Sequence, residues 1–279
     1  MARVKEVENQ ERDAPDTSTG TVPPRRIKLV VAYDGTDFSG WATQSGRRTV
    51  QTTLIEAIHR VSGEQVELIG ASRTDSGAHA KGQVCHFDST VNIAPKRWER
   101  ILNNVMEPDL AIVSSEQVSN DFHSRFSVLD RFYRYRIQTA PRDPLRSRFT
   151  HSYGRPLDLQ AMQEAAKALV GRHDFRSFTE ELDPTVENTW RELYKVEVKQ
   201  VRDEIWIDIT GTAFLRGMMR RISGALLEIG RSYRPITDIH HHLTPKAHNL
   251  QLPIVLPAKG LCLMQVRYGK RPRDNRSKG

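Results

Sequence analysis

The sequence predicts an α+β fold in which one series of elements, βαββαβ, is run through twice. Three observations predict it. Short apolar runs recur with a two-residue period, four segments carry apolar residues at helical spacing, and the order of these elements is the same in both halves although no residue-level repeat accompanies it. With 279 residues, the chain is long enough to bury a sizeable core without disulfide staples.

"RIKLVVAY" (26–33) reads as the first strand. "TVQTTLIEAIHRVSG" then sets Val50, Leu54, Ile58 and Val61 on one helical face, with Thr49 as N-cap and Gly63 as stop. "VELIGA" and "QVCHFD" follow as strands. Pro95 opens a second helix through "KRWERILNNV", which buries Trp98, Ile101, Leu102 and Val105, and "AIVSSEQV" closes the first half as a strand. The second half repeats the order: strand "RFYRYRIQ", helix "LDLQAMQEAAKALV" with Asp158 at its start, strands "ELYKVEV" and "EIWIDIT", helix "FLRGMMRRISGALLEIG", strand "LCLMQVRY". Two ferredoxin-like halves, 26–120 and 121–268, are therefore expected to join into one mixed, mainly antiparallel sheet with helices on one side. A central catalytic cleft is expected where they meet. Residues 1–25 and the basic tail 269–279 are expected to be disordered.

Lysine and arginine number 42 against 34 acids, a formal charge of +8, and the excess is clustered. Clustering of that sign favours a polyanionic partner. "RFYRYRIQTAPRDPLRSRF" (131–149) holds six arginines against Asp143 alone, interleaved with Phe132, Tyr133, Tyr135 and Phe149. Rings and guanidinium planes stack on bases while arginines hold phosphates, so this run points to RNA, with Arg142, Arg146 and Arg148 as phosphate contacts. The tail suits a solvated charged segment. Two cysteines, Cys85 and Cys262, lie in apolar strands and read as reduced thiols, and no stretch has the length and apolarity of a membrane span or a signal peptide. A cytoplasmic location is expected.

"ASRTDSGAHA" (71–80) crowds Arg73, Thr74 and Asp75 into a short break between two strands. Asp, Ser and Gly together suit a plain turn. They also suit a loop that presents an ionised carboxylate, which a nearby guanidinium would hold charged for use as a nucleophile or base. His79 and His86 lack a third ligand at matched spacing, and so does "HHH" (240–242), so no metal site is expected. In "FLRGMMRRISGALLEIG", Arg216, Arg220 and Gly224 recur every four residues beside an apolar stripe of Leu215, Met218, Ile222, Leu226 and Ile229. That face suits either solvent or the approach of a phosphate or carboxylate.

Taken together, "YDGTDFSGW" with Gln44, "TVQ" (49–51), "SRTDSGAHA" with "GQVCHFD", "FHSRFSVLDRFYRYRI" (122–137), "GRHDFRSF" (171–178), "NTWREL" (188–193), "AFLRGMMRRISGALLEIG" (213–230) and "PAKGLCLMQVRY" (257–268) resemble the tRNA pseudouridine synthase A family. They stand in family order over nearly all of the chain except its tails. The resemblance implies Asp75 as the catalytic aspartate, Tyr133 packed against the target base, Arg220 paired with the carboxylate, and Leu263 lining the same pocket. Arg73 would hold a phosphate or help to splay the nucleotide, and Arg216 would meet the RNA. It also implies uridines 38 to 40 of the tRNA anticodon arm as targets, and a homodimer whose subunits together shape the tRNA site. Ser72, Ser76, Ala78 and Ala42 stand where the family usually has Gly, Ala, Val and Gln, and Ser232 replaces a second glycine after Gly230. The reaction implied is a redox-neutral isomerisation, so no cofactor is expected. A non-catalytic RNA-binding module would leave Asp75 unexplained, an RNA hydrolase would require metal ligands or a second carboxylate, and a synthase acting on another RNA would keep the same chemistry.

Overall fold

Residues 23–179, 188–244 and 251–269 are described by a computed structural model. In the first half β1 (Arg25–Tyr33) leads to α1 (Val50–Ser62), β2 (Ile69–Gly70), β3 (His79–Ser89), α2 (Arg97–Asn103) and β4 (Leu110–Val118). The Thr49 hydroxyl caps α1 by accepting from the Thr52 amide, and Gly63, left-handed at φ 73°, ends it. The second half runs β5 (Val128–Gln138), β6 (His151–Ser152), α3 (Leu159–Ala168), β7 (Gly171–Asp174), β8 (Trp190–Val201), β9 (Glu204–Gly211), α4 (Met218–Gly230), α5 (Asp238–His242) and β10 (Leu261–Tyr268). Asp158 caps α3 through the Ala161 amide.

One mixed sheet holds all ten strands in the order β4-β1-β3-β10-β5-β9-β8-β7, with β2 beside β3 and β6 beside β5. Each half has the ferredoxin-like order of its fourth, first, third and second strands, β4-β1-β3-β2 and β10-β5-β9-β8. They join through a two-residue parallel contact, His79 beside Cys262 and Ala80 beside Leu263. Close approach at the join requires Gly82, where a Cβ would stand 2.6 Å from the Met264 carbonyl oxygen. Alternation along the strands buries Ile27, Leu29, Val31 and Tyr33 of β1, Tyr133, Tyr135 and Ile137 of β5, and Ile205, Ile207 and Ile209 of β9. These side chains belong to one apolar core with Leu54, Ile58, Met162, Ile222 and Leu226 of the helices.

The elements read from the sequence are present with shifted bounds. "VELIGA" contracts to Ile69–Gly70, because the chain leaves β3 after two pairs, Ile69 with His86 and Gly70 with Cys85. The helix expected from Phe214 begins at Met218, because Gly217 turns left-handed at φ 69°. Periodicity does not announce β6, β7 or α5, which are five residues or shorter. The expected N-terminal arm and basic tail fall mainly on 1–22 and 270–279, outside the described residues. Arg25, assigned to the arm, is instead the first residue of β1, and its guanidinium donates to the carbonyls of Val91 and Ile93 at 2.7 and 3.0 Å.

Candidate active site

Between β2 and β3, Ala71 N still donates to the Val84 carbonyl at 2.7 Å, and residues 72–78 then leave the ladder and are fixed by other bonds. The turn after β1 forms a cradle beneath them. Trp41 N donates to the Thr74 carbonyl at 3.1 Å, Gly77 N to the Phe38 carbonyl at 3.2 Å, and the Tyr33 and Thr74 hydroxyls meet at 2.8 Å. Gly35 and Gly40 make this approach possible: a Cβ on Gly35 would lie 1.9 Å from the Ala78 oxygen, and one on Gly40 2.8 Å from the Thr74 oxygen. The Gln83 side chain grips Ser72, receiving its amide at 3.3 Å and donating to its carbonyl at 2.7 Å. "YDGTDFSGW", which turn geometry and a core tryptophan alone would explain, is thus the bed of the Asp75 loop.

Asp75 is partly exposed, and one carboxylate oxygen lies 3.3 Å from Nη1 of Arg220 in the first turn of α4. Arg220 is itself fixed, because its Nε donates to the Leu256 carbonyl at 2.7 Å. The carboxylate comes from the first half and the guanidinium from the second. Tyr133 on β5 completes the group, its ring meeting Phe214 edge-to-face at 4.9 Å between centroids. Burial pushes the Tyr133 phenol above its ordinary value, against the opposing pull of Ser72 and the Arg131 charge. Leu263 is fully buried and stands opposite Tyr133 in the β5–β10 ladder.

Arg131 escapes a reading based on motifs. Its guanidinium donates to the Ser72 hydroxyl at 2.8 Å, the Ala71 carbonyl at 2.8 Å and the Thr212 carbonyl at 2.6 Å, which ties the Asp75 loop to the segment before α4. Ser72, where the family usually has glycine, therefore adds a hydroxyl that accepts from Arg131. The available signal was an arginine two residues before a tyrosine on the same strand face.

The remaining arginines separate by environment. Arg73 and Arg142 are exposed, and neither forms an ion pair or side-chain hydrogen bond with the described residues. Arg146 is held by Asp143, Asp203 and Glu204, and Arg148 is held by Asp34 and Asp37. Arg216 is exposed, but it precedes α4 and does not share a helical face with Arg220. Gly224 serves packing: a Cβ there would stand 1.9 Å from the Ile254 oxygen, so no phosphate reaches that backbone. His79 accepts from the Gly35 amide at 3.0 Å while its other nitrogen meets the Arg148 and Lys259 carbonyls, and His86 accepts from the Ser124 amide at 3.2 Å. A cavity of about 400 Å³ lies on the other face of the sheet, lined by Ala32, Arg134, Arg136, Trp206 and Met264, away from Asp75.

The profile of the family described as tRNA pseudouridine synthase matches residues 29–127 and 165–269. Among curated relatives, a tRNA pseudouridine synthase A of Brevibacillus brevis is 40% identical over 245 residues, covering 88% of this chain and 100% of its own length. Its namesake from Syntrophotalea carbinolica is 36% identical over 249 residues, with 89% and 97% covered, and that from Bacillus pumilus is 40% identical over 249 residues, with 87% and 99% covered.

Proposed function

The chain belongs to the tRNA pseudouridine synthase family, a family of isomerases, and on that premise we propose that it converts uridine to pseudouridine in the anticodon stem-loop of tRNA, at positions 38 to 40, with Asp75 as the attacking carboxylate. The observation that carries this reading is the Asp75–Arg220 pair at 3.3 Å, which joins a loop of one half to a helix of the other beside Tyr133. In the reaction the N1–C1′ bond breaks, the base turns while retained, a C5–C1′ bond forms, and the C5 proton is lost as N1 gains one. Nothing is oxidised or reduced. Asp75 assists departure of the base as nucleophile or proton acceptor. Arg220, anchored on Leu256, pairs with it and fixes its direction.

Leu263 and Tyr133 wall the space in which the detached base turns. With Tyr133 only 6% exposed and packed against Phe214, full stacking of a base on its ring requires Phe214 to move aside. A uridine in a stem must first be flipped out, and contact with these side chains offsets part of that cost. Arg73 and Arg142 supply phosphate contacts, and Arg216 adds to them from the loop before α4. The enzyme works in the cytoplasm as a homodimer whose subunits shape one tRNA site.

The test is incubation with an unmodified tRNA transcript, mapping of pseudouridine along it, and sedimentation of the protein alone and with tRNA. Pseudouridine in the anticodon arm, lost in Asp75→Asn while tRNA is still bound, is the expected result. Strand cleavage, or binding without any isomer, would remove this reading.

A further inference from the structure

The loop before β5 presents an aromatic ring that the active site does not use. Phe126 is 76% exposed. A single exposed apolar side chain is ordinary, but this one is held in place on one face. The His123 imidazole stacks on it at 4.3 Å between centroids and 28° between planes, and the Arg125 guanidinium lies 5.6 Å from its centroid. Nδ1 of His123 accepts from the amides of both Arg125 and Phe126 at 3.2 Å, and the Ser127 amide returns to the His123 carbonyl at 2.9 Å. The loop is also tied to β2, which leads into the Asp75 loop, by the Ser124 hydroxyl donating to the Ile69 carbonyl at 2.6 Å, and to β10 by the Tyr268 hydroxyl donating to the Ser124 carbonyl at 2.7 Å.

We propose that Phe126, backed by His123 and flanked by Arg125, is a platform on which an unpaired base of the bound tRNA stacks. The inference rests on the substrate reading above. A flat ring that is largely exposed, stacked on an imidazole and close to a cation, is the chemistry of base stacking. A protein partner would instead seek a contiguous apolar patch, whereas the exposed residues around Phe126 in this loop are Ser119, Asn120, Asp121, Arg125 and Ser127. Arg125 forms no ion pair with the described residues, which leaves its charge available to the phosphate of the stacked nucleotide. Little backbone ordering is left for binding, because the loop is already bonded at both ends.

The experiment compares Phe126→Ala, Phe126→Leu and Phe126→Trp with the unaltered protein in tRNA affinity across a salt series, melting temperature and sedimentation. Phe126→Ala is expected to weaken tRNA binding roughly 5- to 100-fold. Phe126→Leu is expected to rescue little of that loss and Phe126→Trp most of it, with added indole fluorescence that tRNA quenches. The salt slope stays unchanged because no charge is removed, and so does the melting temperature, because the side chain is exposed. Equal affinity of Phe126→Ala and the unaltered protein would overturn the platform alone. A loss of affinity that comes with a changed sedimentation coefficient would also overturn it and make the ring a protein contact. If the unaltered protein bound no tRNA, the substrate reading would fall first and the platform with it.

Discussion

The second and third strands of the two halves are joined in opposite ways. In the second half β8 and β9 form a tight hairpin through Arg202 and Asp203, with Arg202 at φ 56°, and pair from Val201–Glu204 to Leu193–Gly211. In the first half the corresponding β2 keeps two residues, and 71–78 stand between it and β3. Backbone pairing that the hairpin makes with its neighbour is replaced at the loop by bonds from Trp41, Gln83, Tyr33 and Arg131. One connection is spent on sheet, the other on presenting a carboxylate. Function sits where pairing was given up, and the lost order is restored by side chains from both halves.

Replacing the two aspartates in turn breaks this comparison most sharply. Asp75→Asn should lower isomerisation by about 10³-fold or more, as loss of a reacting carboxylate does. Affinity for tRNA should stay within several-fold. Asp203→Asn in the hairpin should leave turnover near that of the unaltered protein. Pseudouridine yield in single-turnover reactions, with filter binding in parallel, decides it, and comparable losses in both variants would dissolve the contrast.

The bed of the loop is the next point of attack. Gly35→Ala places a methyl group against the Ala78 carbonyl and is expected to cost about 1–3 kcal/mol of stability by overpacking, together with a tenfold or greater loss of turnover as Asp75 shifts. Gly46→Ala, at φ 68° in open space, costs about 1 kcal/mol of backbone strain and should leave activity intact. Thermal melts and initial rates separate the two.

Ser72→Ala removes the hydroxyl that accepts from Arg131 and spares the backbone grip of Gln83. Loss of one hydrogen bond is worth about 0.5–1.5 kcal/mol, so turnover should fall roughly 2- to 10-fold at unchanged tRNA affinity. An increase in KM with kcat unaltered would instead assign Ser72 to binding.

The smallest effects are expected at the arginines beside the hairpin. Arg146→Ala should lower the melting temperature and leave the salt slope of tRNA binding alone, since Asp203 and Glu204 already hold its charge. Arg142→Ala should reduce that slope by roughly 0.7 to 0.9 and leave the melt unchanged. The reverse pattern would make Arg146 the phosphate contact.

Legibility of the site followed chain distance. Asp75 stood out because an acid flanked by arginine, threonine and glycine in a short break between strands is conspicuous locally, and Tyr133 and Arg220 emerged through the resemblance. Arg131 was hidden because its three acceptors belong to residues 71, 72 and 212. The partners of Arg146 were hidden for the same reason: along the chain it is one of six arginines facing a single acid, whereas in space Asp203 and Glu204 reach it from the β8–β9 hairpin.

By itself the sequence determined the doubled βαββαβ order, the caps at Thr49 and Asp158, the apolar faces of strands and helices, and the basic balance, because each depends on neighbours a few residues apart. Only the tertiary structure decided that β3 and β10 join the halves, that Arg220 reaches Asp75, that Gly35 and Gly40 admit the loop, and that Arg131 anchors it. Those contacts close over separations of up to 180 residues or more, and packing, not local preference, selects them.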